Sequence, residues 1–421
     1  MLRRLLAGLA GPRSATADAN ATMPSPGVTL SQPRQDLHID EALLARYAKG
    51  APPPQAAQLF PLDDPWPDDP GLSPAAYDRF EVDGGRYLPI QFIRAFRPLT
   101  FEQTGFPTRI SDTAEILRYS DWNVEGSIPR LFERGATYRH ICYVNAFTSD
   151  EWAIMAALTR SVARLTAKRC GRAVRPVTTA MMALTPFRII QQVAAASGGG
   201  PMTVFEVGPG MAYLGPLLAS KGHRYRCFDV TQAFCLWQHH MLRWTAGHHF
   251  AEMTGQPPGE PIPDDKLVVN LPWWTYPRFL EQSPIRADFV YSNANLGEMT
   301  ADARRCVLEV SLAMLRDSPL GLFFYIGPGQ LAQCTQDQLN AEIQTRGFNR
   351  VEGLPFTGWV ARKDHAQRIA AMFSGGIRHY DPSHRPELYP ADVVMRIPRN
   401  EAPLDIAYTR WAFGWDPPYL D

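Results

Sequence analysis

From residue 203 onward, short apolar runs alternate with stretches of helical composition, and this alternation constrains the chain more than any other feature. TVFEV (203–207), YRCFDV (225–230), KLVVNL (266–271), ADFVYSN (287–293) and LGLFFYIG (320–327) read as five buried strands. LGPLLASKG, TQAFCLWQHHMLRWTAGHHF, TADARRCVLEVSLAMLRD and TQDQLNAEIQTRG read as helices between and after them. A strand that is apolar throughout, rather than at every second residue, is covered on both faces. With helices between such strands, the sheet is mainly parallel. The expected fold is α/β: a doubly wound, mainly parallel, Rossmann-like sheet with a helical N-terminal region and a C-terminal extension. GFNRVEGLPFTGWVARK can close the sheet with one more pair of strands.

Ligands of an open α/β sheet bind outside the carboxyl ends of the strands. Glu206, Gly208 and Gly210 follow the first strand, and Asp229 ends the second. Asn270, Pro272, Trp273 and Trp274 follow the third, and Ser292, Asn293, Asn295 and Glu298 the fourth. Glycines at 208 and 210 let the backbone turn tightly and let a ligand lie against it. A carboxylate at the end of the next strand can accept both hydroxyls of a ribose. A dinucleotide turn also wants a third glycine, and here Tyr213 stands in that place. Glu206 in front of the turn repels a pyrophosphate but attracts a ligand that carries an ammonium and a sulfonium and no phosphate.

FEVGPGMAYLG followed by Asp229 resembles the first two motifs of the class I S-adenosylmethionine-dependent methyltransferases, with the likeness covering residues 180–365. NLPWW and YSNANLGEM look like segments of a bacterial sugar O-methyltransferase group. The resemblance implies S-adenosylmethionine as cofactor. It places Glu206 at the methionine end, Gly208 and Gly210 along the cofactor, and Asp229 on the ribose. It puts Asn270 to Trp273 beside the adenine and Ser292 or Asn293 near the methionine part. Many members carry an acid near the end of the third strand to bind the adenine amino group, and here Asn270 stands in its place.

Methyl transfer to oxygen needs alignment and a base, because a neutral hydroxyl is a poor nucleophile. Glu298, five residues past Asn293, is the first candidate; the competing reading is a carboxylate that serves only a helix start. His379, in the run HYDPSH, is a second candidate, as a base on a lid; the competing readings are a metal site and a plain surface loop. His239, His240, His248 and His249 lack the spacing of a metal motif. His140 can line an acceptor pocket or pack in the core. Trp273 and Trp274 can stack on a ring or belong to an aromatic core. Asp63, Asp64, Asp68 and Asp69 lie in a proline-rich stretch that reads as a solvated segment wrapped on the surface.

The remaining expectations concern organisation. Residues 1–35 read as a frayed tail, 36–175 as a helical and irregular region that caps the acceptor, 176–365 as the cofactor-binding domain, and 366–421 as an extension packed on it. TSDEWAIMAALTRSVARLTAKRCG has a capping box in Thr148 and Glu151, and a second helical stretch over 178–196 is kinked or broken at Pro186. Lys plus Arg and Asp plus Glu both number 42, which argues against a long nucleic acid as partner. No apolar run reaches the ~20 residues of a membrane span. Six scattered cysteines without a C-x-x-C pair suit reduced thiols, and the protein is expected in the cytoplasm with a small-molecule acceptor. Two rival readings are an NAD(P)-dependent oxidoreductase and a methyltransferase-like protein that binds without catalysis.

Overall fold

A computed structural model describes residues 59–98, 108–116 and 148–377, with breaks at 62, 175, 177–179, 181–182, 258, 282–284, 328–331 and 355. The expected tail, His140, His379 and most of the C-terminal extension lie outside the described residues.

Among the described residues, eight strands form one sheet: β1 (Thr203–Val207), β2 (Arg224–Asp229), β3 (Phe250–Glu252), β4 (Val268–Pro272), β5 (Phe289–Asn293), β6 (Leu322–Ile326), β7 (Asn349–Arg350) and β8 (Gly358–Val360). Their order across the sheet is β3-β4-β2-β1-β5-β6-β8-β7. The five strands read from the sequence are β1, β2, β4, β5 and β6. They are mutually parallel and almost wholly buried, as continuous apolar runs require. The closing pair is β7 and β8, with β8 antiparallel to both β6 and β7. β3 is an addition that sequence reading did not anticipate. Its three residues sit at the edge beside β4, and only Phe250 is buried, so no hydrophobic run announces it.

Among the described residues, helix α1 (Pro74–Gly85) and the short α2 (Ile90–Ala95) precede the long α3 (Ser149–Cys170) and α4 (Leu184–Ala196). α5 (Leu214–Ala219), α6 (Gln232–Ala246), α7 (Ala301–Arg316), α8 (Gln336–Thr345) and α9 (Ala366–Met372) accompany the sheet. The capping box of α3 forms as the spacing predicts: Glu151 N donates to Thr148 Oγ1 at 3.2 Å, and Thr148 N donates to Glu151 Oε2 at 2.9 Å. Gly171 ends α3 in the left-handed region at φ 74. The expected break near Pro186 falls at Ala183, a turn residue after helical Ala180, and α4 follows it. The helix begins at Leu184, so the proline lies in the first turn, where an amide hydrogen has no intrahelical partner to lose.

The acidic segment before α1 is tied down by its charges. Asp64 pairs with Lys168 and Arg169 of α3, both at 3.0 Å, and Asp69 pairs with Arg243 of α6. Trp66 lies under the Arg243 guanidinium, 4.3 Å from ring centre to Cζ. α1 then packs on α6, and α2 packs on α7, which brings the N-terminal region over the carboxyl ends of the strands.

Candidate active site

β1 and β5 are neighbours at the centre of the sheet, and the chain winds outward from them in opposite directions. The crevice at such a switch point is where an open α/β sheet binds its ligand. A cleft of about 260 Å³ lies there. Its floor is the turn after β1, and its walls come from the ends of β2 and β5, from Ala95 to Pro98 after α2, and from Pro186 of α4.

The turn depends on its glycines. Gly208 and Gly210 have φ of 62 and 55, values that L side chains adopt at a cost. A Cβ on Gly208 would stand 2.0 Å from Asn295 Nδ2. Asn295 is close because it clamps the turn: its Nδ2 donates to Val207 O at 2.6 Å and to Gly208 O at 2.9 Å. Ser292 Oγ donates in turn to Asn295 Oδ1. On the other side, Gln238 Nε2 of α6 donates to Gly210 O at 2.8 Å. Ala212 and Ala294, at φ 57 and 52, also line the cleft. Left-handed backbone at alanine is strained, and such strain clusters at functional sites. Replacing Asn295 with alanine is expected to loosen the turn, lower the melting temperature and weaken the cleft's ligand about tenfold, the worth of one lost hydrogen bond. Calorimetric melting and titration measure the two effects.

Two carboxylates stand on this floor. Glu206 is 4% exposed, and Tyr225 Oη donates to its Oε2 at 2.6 Å. Burial pushes Glu206 up from 4.5 to about 8; the Tyr225 bond pulls it down, and the nearby Asp229 charge pushes it up. Asp229 is also 4% exposed. Its Oδ1 accepts from Thr231 N at 3.0 Å and Thr231 Oγ1 at 3.2 Å, and its Oδ2 accepts the longer bonds from Gly210 N at 3.3 Å and Gln238 Nε2 at 3.4 Å. Burial lifts Asp229 from 3.8 to about 6 against the pull of the Thr231 and Gly210 amides. The charged side chains lining the cleft, among the described residues, are Glu206, Asp229, Glu298 and Arg97.

Glu206, Gly208, Gly210, Asp229, Asn293 and Glu298 all line this one cleft. Glu298 closes a single 3-10 turn, Leu296–Glu298. It stands three residues ahead of Ala301, the first residue of α7, whose cap Thr300 accepts from Ala303 N at 3.1 Å. Two expectations are corrected. Asn270 does not line the cleft and is 1% exposed; its Nδ2 donates to Glu252 Oε2 at 3.0 Å. The parallel register pairs Asp229 with Pro272, so Asn270 lies two residues inside the sheet rather than at its edge. Ser292 is fully buried and reaches the turn only through Asn295. Tyr213, in the third-glycine place, is 3% exposed and packs edge-on against Trp237. Close helix–strand packing is supplied two residues later by Gly215, whose Cβ would lie 2.8 Å from the Tyr225 ring.

The other candidates resolve into structural roles. His239 accepts from Leu72 N at 3.0 Å through Nε2 and contacts Glu252 Oε2 at 3.0 Å through Nδ1. That arrangement joins the N-terminal segment to β3. Among the described residues no group of histidines, cysteines and acids has the arrangement to hold a metal, and the five described cysteines are free thiols. No described helix is long and apolar enough to cross a membrane. Trp274 is core, edge-on to Tyr77. Trp273 stacks on Phe96, donates to Glu81 Oε1 at 2.8 Å and lines a second cavity of about 490 Å³ that shares Phe96, Arg97, Pro98 and Val230 with the cleft. Asn295 stood at a strand end in the sequence without a role. Tyr225, Gly215 and Gln238 carried no signal there, since each acts by reaching a neighbouring element.

No protein-family model matches the chain, and no curated protein matches it by sequence. Among solved structures it is similar to the magnesium protoporphyrin IX methyltransferase ChlM from Synechocystis PCC 6803 with bound SAM, at 9% identity and a TM-score of 0.27, over 49% of this chain and 94% of that one. It is also similar to the human methyltransferase 10 domain containing protein, at 15% identity and a TM-score of 0.25, over 49% of this chain and 93% of that one.

Proposed function

We propose that the protein is an S-adenosylmethionine-dependent methyltransferase acting on a hydroxyl of a small, sugar-like acceptor. The observation that carries this reading is the pair Glu206 and Asp229, two buried carboxylates flanking a left-handed glycine turn in one cleft. A carboxylate driven up to about 8 by burial lacks a compensating cation. A ligand that brings positive charge to Glu206 supplies what that group lacks, and its hydroxyls add to the donors that Asp229 already accepts. A pyrophosphate brings the opposite charge. The sheet also departs from the dinucleotide order, which continues with a sixth parallel strand, because the place after β6 is taken by the antiparallel β8.

On this reading Gly208 and Gly210 let the cofactor lie against the backbone, Glu206 holds its cationic end and Asp229 its ribose. When bound, S-adenosylmethionine supplies an electrophilic methyl group. Glu298, after the end of β5, accepts the proton of the acceptor hydroxyl, and Asn293 lines the wall of the same cleft. Isothermal titration with S-adenosylmethionine tests the reading, with Asp229→Ala as control. Binding by the wild type and loss in the variant is the expected result. Retention of NAD or NADP instead would transfer the site to the oxidoreductases. Binding without a demethylated product across a broad acceptor panel would make the protein a non-catalytic binder. Glu298→Gln is expected to lower kcat roughly 10²- to 10⁴-fold, the worth of a general base, and to leave cofactor affinity near wild type. Steady-state rates with titration on the same sample separate the two.

A further inference from the structure

The carboxylate at the floor of the cleft has a support outside the motif residues. Tyr225 is the second residue of β2, opposite Val204 in the ladder with β1, while Glu206 is opposite Cys227. Tyr225 is therefore diagonal to Glu206 on the same face, a separation that an aromatic side chain spans. Its ring is fully buried. It fits there because Gly215 of α5 has no side chain, and a Cβ at that position would lie 2.8 Å from both Cδ1 and Cε1 of the ring. Among the described residues, the Tyr225 hydroxyl is the single hydrogen-bond partner of the Glu206 carboxylate.

We propose that Tyr225 is a positioning residue for the donor end of the cleft, its hydroxyl holding Glu206 Oε2 on the sheet side and leaving Oε1 for the cationic end of a ligand. The inference rests on the donor reading above. A hydrogen bond to the ionised form of an acid favours that form. Burial holds the Tyr225 hydroxyl well above its ordinary value, so it remains a donor throughout the working pH range. The other groups facing Glu206 are Cys227 and Asp229 of β2 and Tyr291 of β5, with Glu298 and Arg97 on the cleft wall. Burial also pushes Cys227 and Tyr291 well up, which keeps both neutral. Tyr225 is thus the local group that opposes burial and the Asp229 charge, both of which drive Glu206 toward its neutral form.

The test is a carbon-13 carboxyl titration of the ligand-free protein, with Glu206→Gln to assign the resonance, on wild type and Tyr225→Phe. The Glu206 midpoint is expected to rise by about one pH unit in the variant, the worth of a hydrogen bond to a charged group. S-adenosylmethionine affinity at neutral pH is expected to fall about tenfold, with its pH profile displaced upward by the same interval. S-adenosylhomocysteine, which lacks the sulfonium charge, loses less. Gly215→Ala is the second variant: its new methyl displaces the Tyr225 ring and moves the midpoint in the same direction. A tyrosine that only packs would lower the melting temperature and leave the titration and the pH profile in place, and that result overturns the proposal. A wild type that binds no S-adenosylmethionine overturns the donor reading and the ligand half of this proposal with it. The ligand-free titration then decides the Tyr225–Glu206 coupling by itself.

Discussion

Glu206→Gln is expected to weaken S-adenosylmethionine about a hundredfold and at the same time to stabilise the ligand-free protein at alkaline pH. Glutamine keeps an acceptor for the Tyr225 hydroxyl but carries no charge for a cation. Losing one partner of a desolvated charge pair costs about 3 kcal/mol or more, which is a hundredfold in affinity. The sign of the stability effect follows from the raised value. Unfolded, Glu206 titrates near 4.5; folded, near 8. Between those values the folded protein binds more protons than the unfolded chain, so the contribution of Glu206 to stability falls as pH rises through that window. The glutamine variant lacks this decline and should exceed wild type above pH 8 by on the order of a few kcal/mol. Urea unfolding across pH measures it. The same linkage makes ligand binding by the wild type release most of a proton at neutral pH. Titration in buffers of different ionisation heat detects that release, and a wild type that binds without it would refute the assignment of Glu206. Asp229 follows the same sign in a lower window, from 3.8 to about 6.

Glu151→Ala is expected to cost about 3–5 kcal/mol, because it leaves a buried guanidinium without its carboxylate. Arg188 of α4 forks onto Glu151 of α3, Nε to Oε1 at 2.6 Å and Nη2 to Oε2 at 2.7 Å. Both side chains are nearly solvent-free. Glu151 also completes the capping box of α3, so one substitution frays a helix start and takes the carboxylate away from a buried guanidinium. Chemical denaturation gives the magnitude. The change reaches the cleft through α4, whose Pro186 forms part of the wall. Replacing Thr148 alone should cost only the cap, ~1 kcal/mol. The contrast between these two variants separates the ion pair from the capping box.

What could be read from the chain depended on how local the cause was. The five long strands were legible because burial on both faces writes itself as an unbroken apolar run. The start of α3 was legible because a capping box spans only four residues, Thr148 to Glu151. β3 was not legible, since three residues with one buried side chain do not make a pattern. Asn270 was misplaced because the end of a strand is decided by its partner. The ladder with β2 carries β4 on to Pro272, and Asn270 becomes an interior residue bonded to Glu252. The clustered histidines looked alike in the sequence, yet His239 is held between Leu72 and Glu252 from distant segments.

By itself the sequence determined the sheet, the glycine turn and the two acids at the strand ends, because each is set by short-range periodicity or by backbone geometry that only glycine adopts freely. The tertiary structure decided how those parts are held. Asn295 clamps a turn 88 residues away, and Tyr225 braces a carboxylate 19 residues away. The end of α2 and the residues after it, Ala95 to Pro98, far from the turn in sequence, line the cleft. Such contacts arise from the packing of neighbouring elements and leave no periodicity behind. The low dielectric around Glu206 belongs to the same class: no segment encodes it, and it exists only once the strands on either side have excluded water.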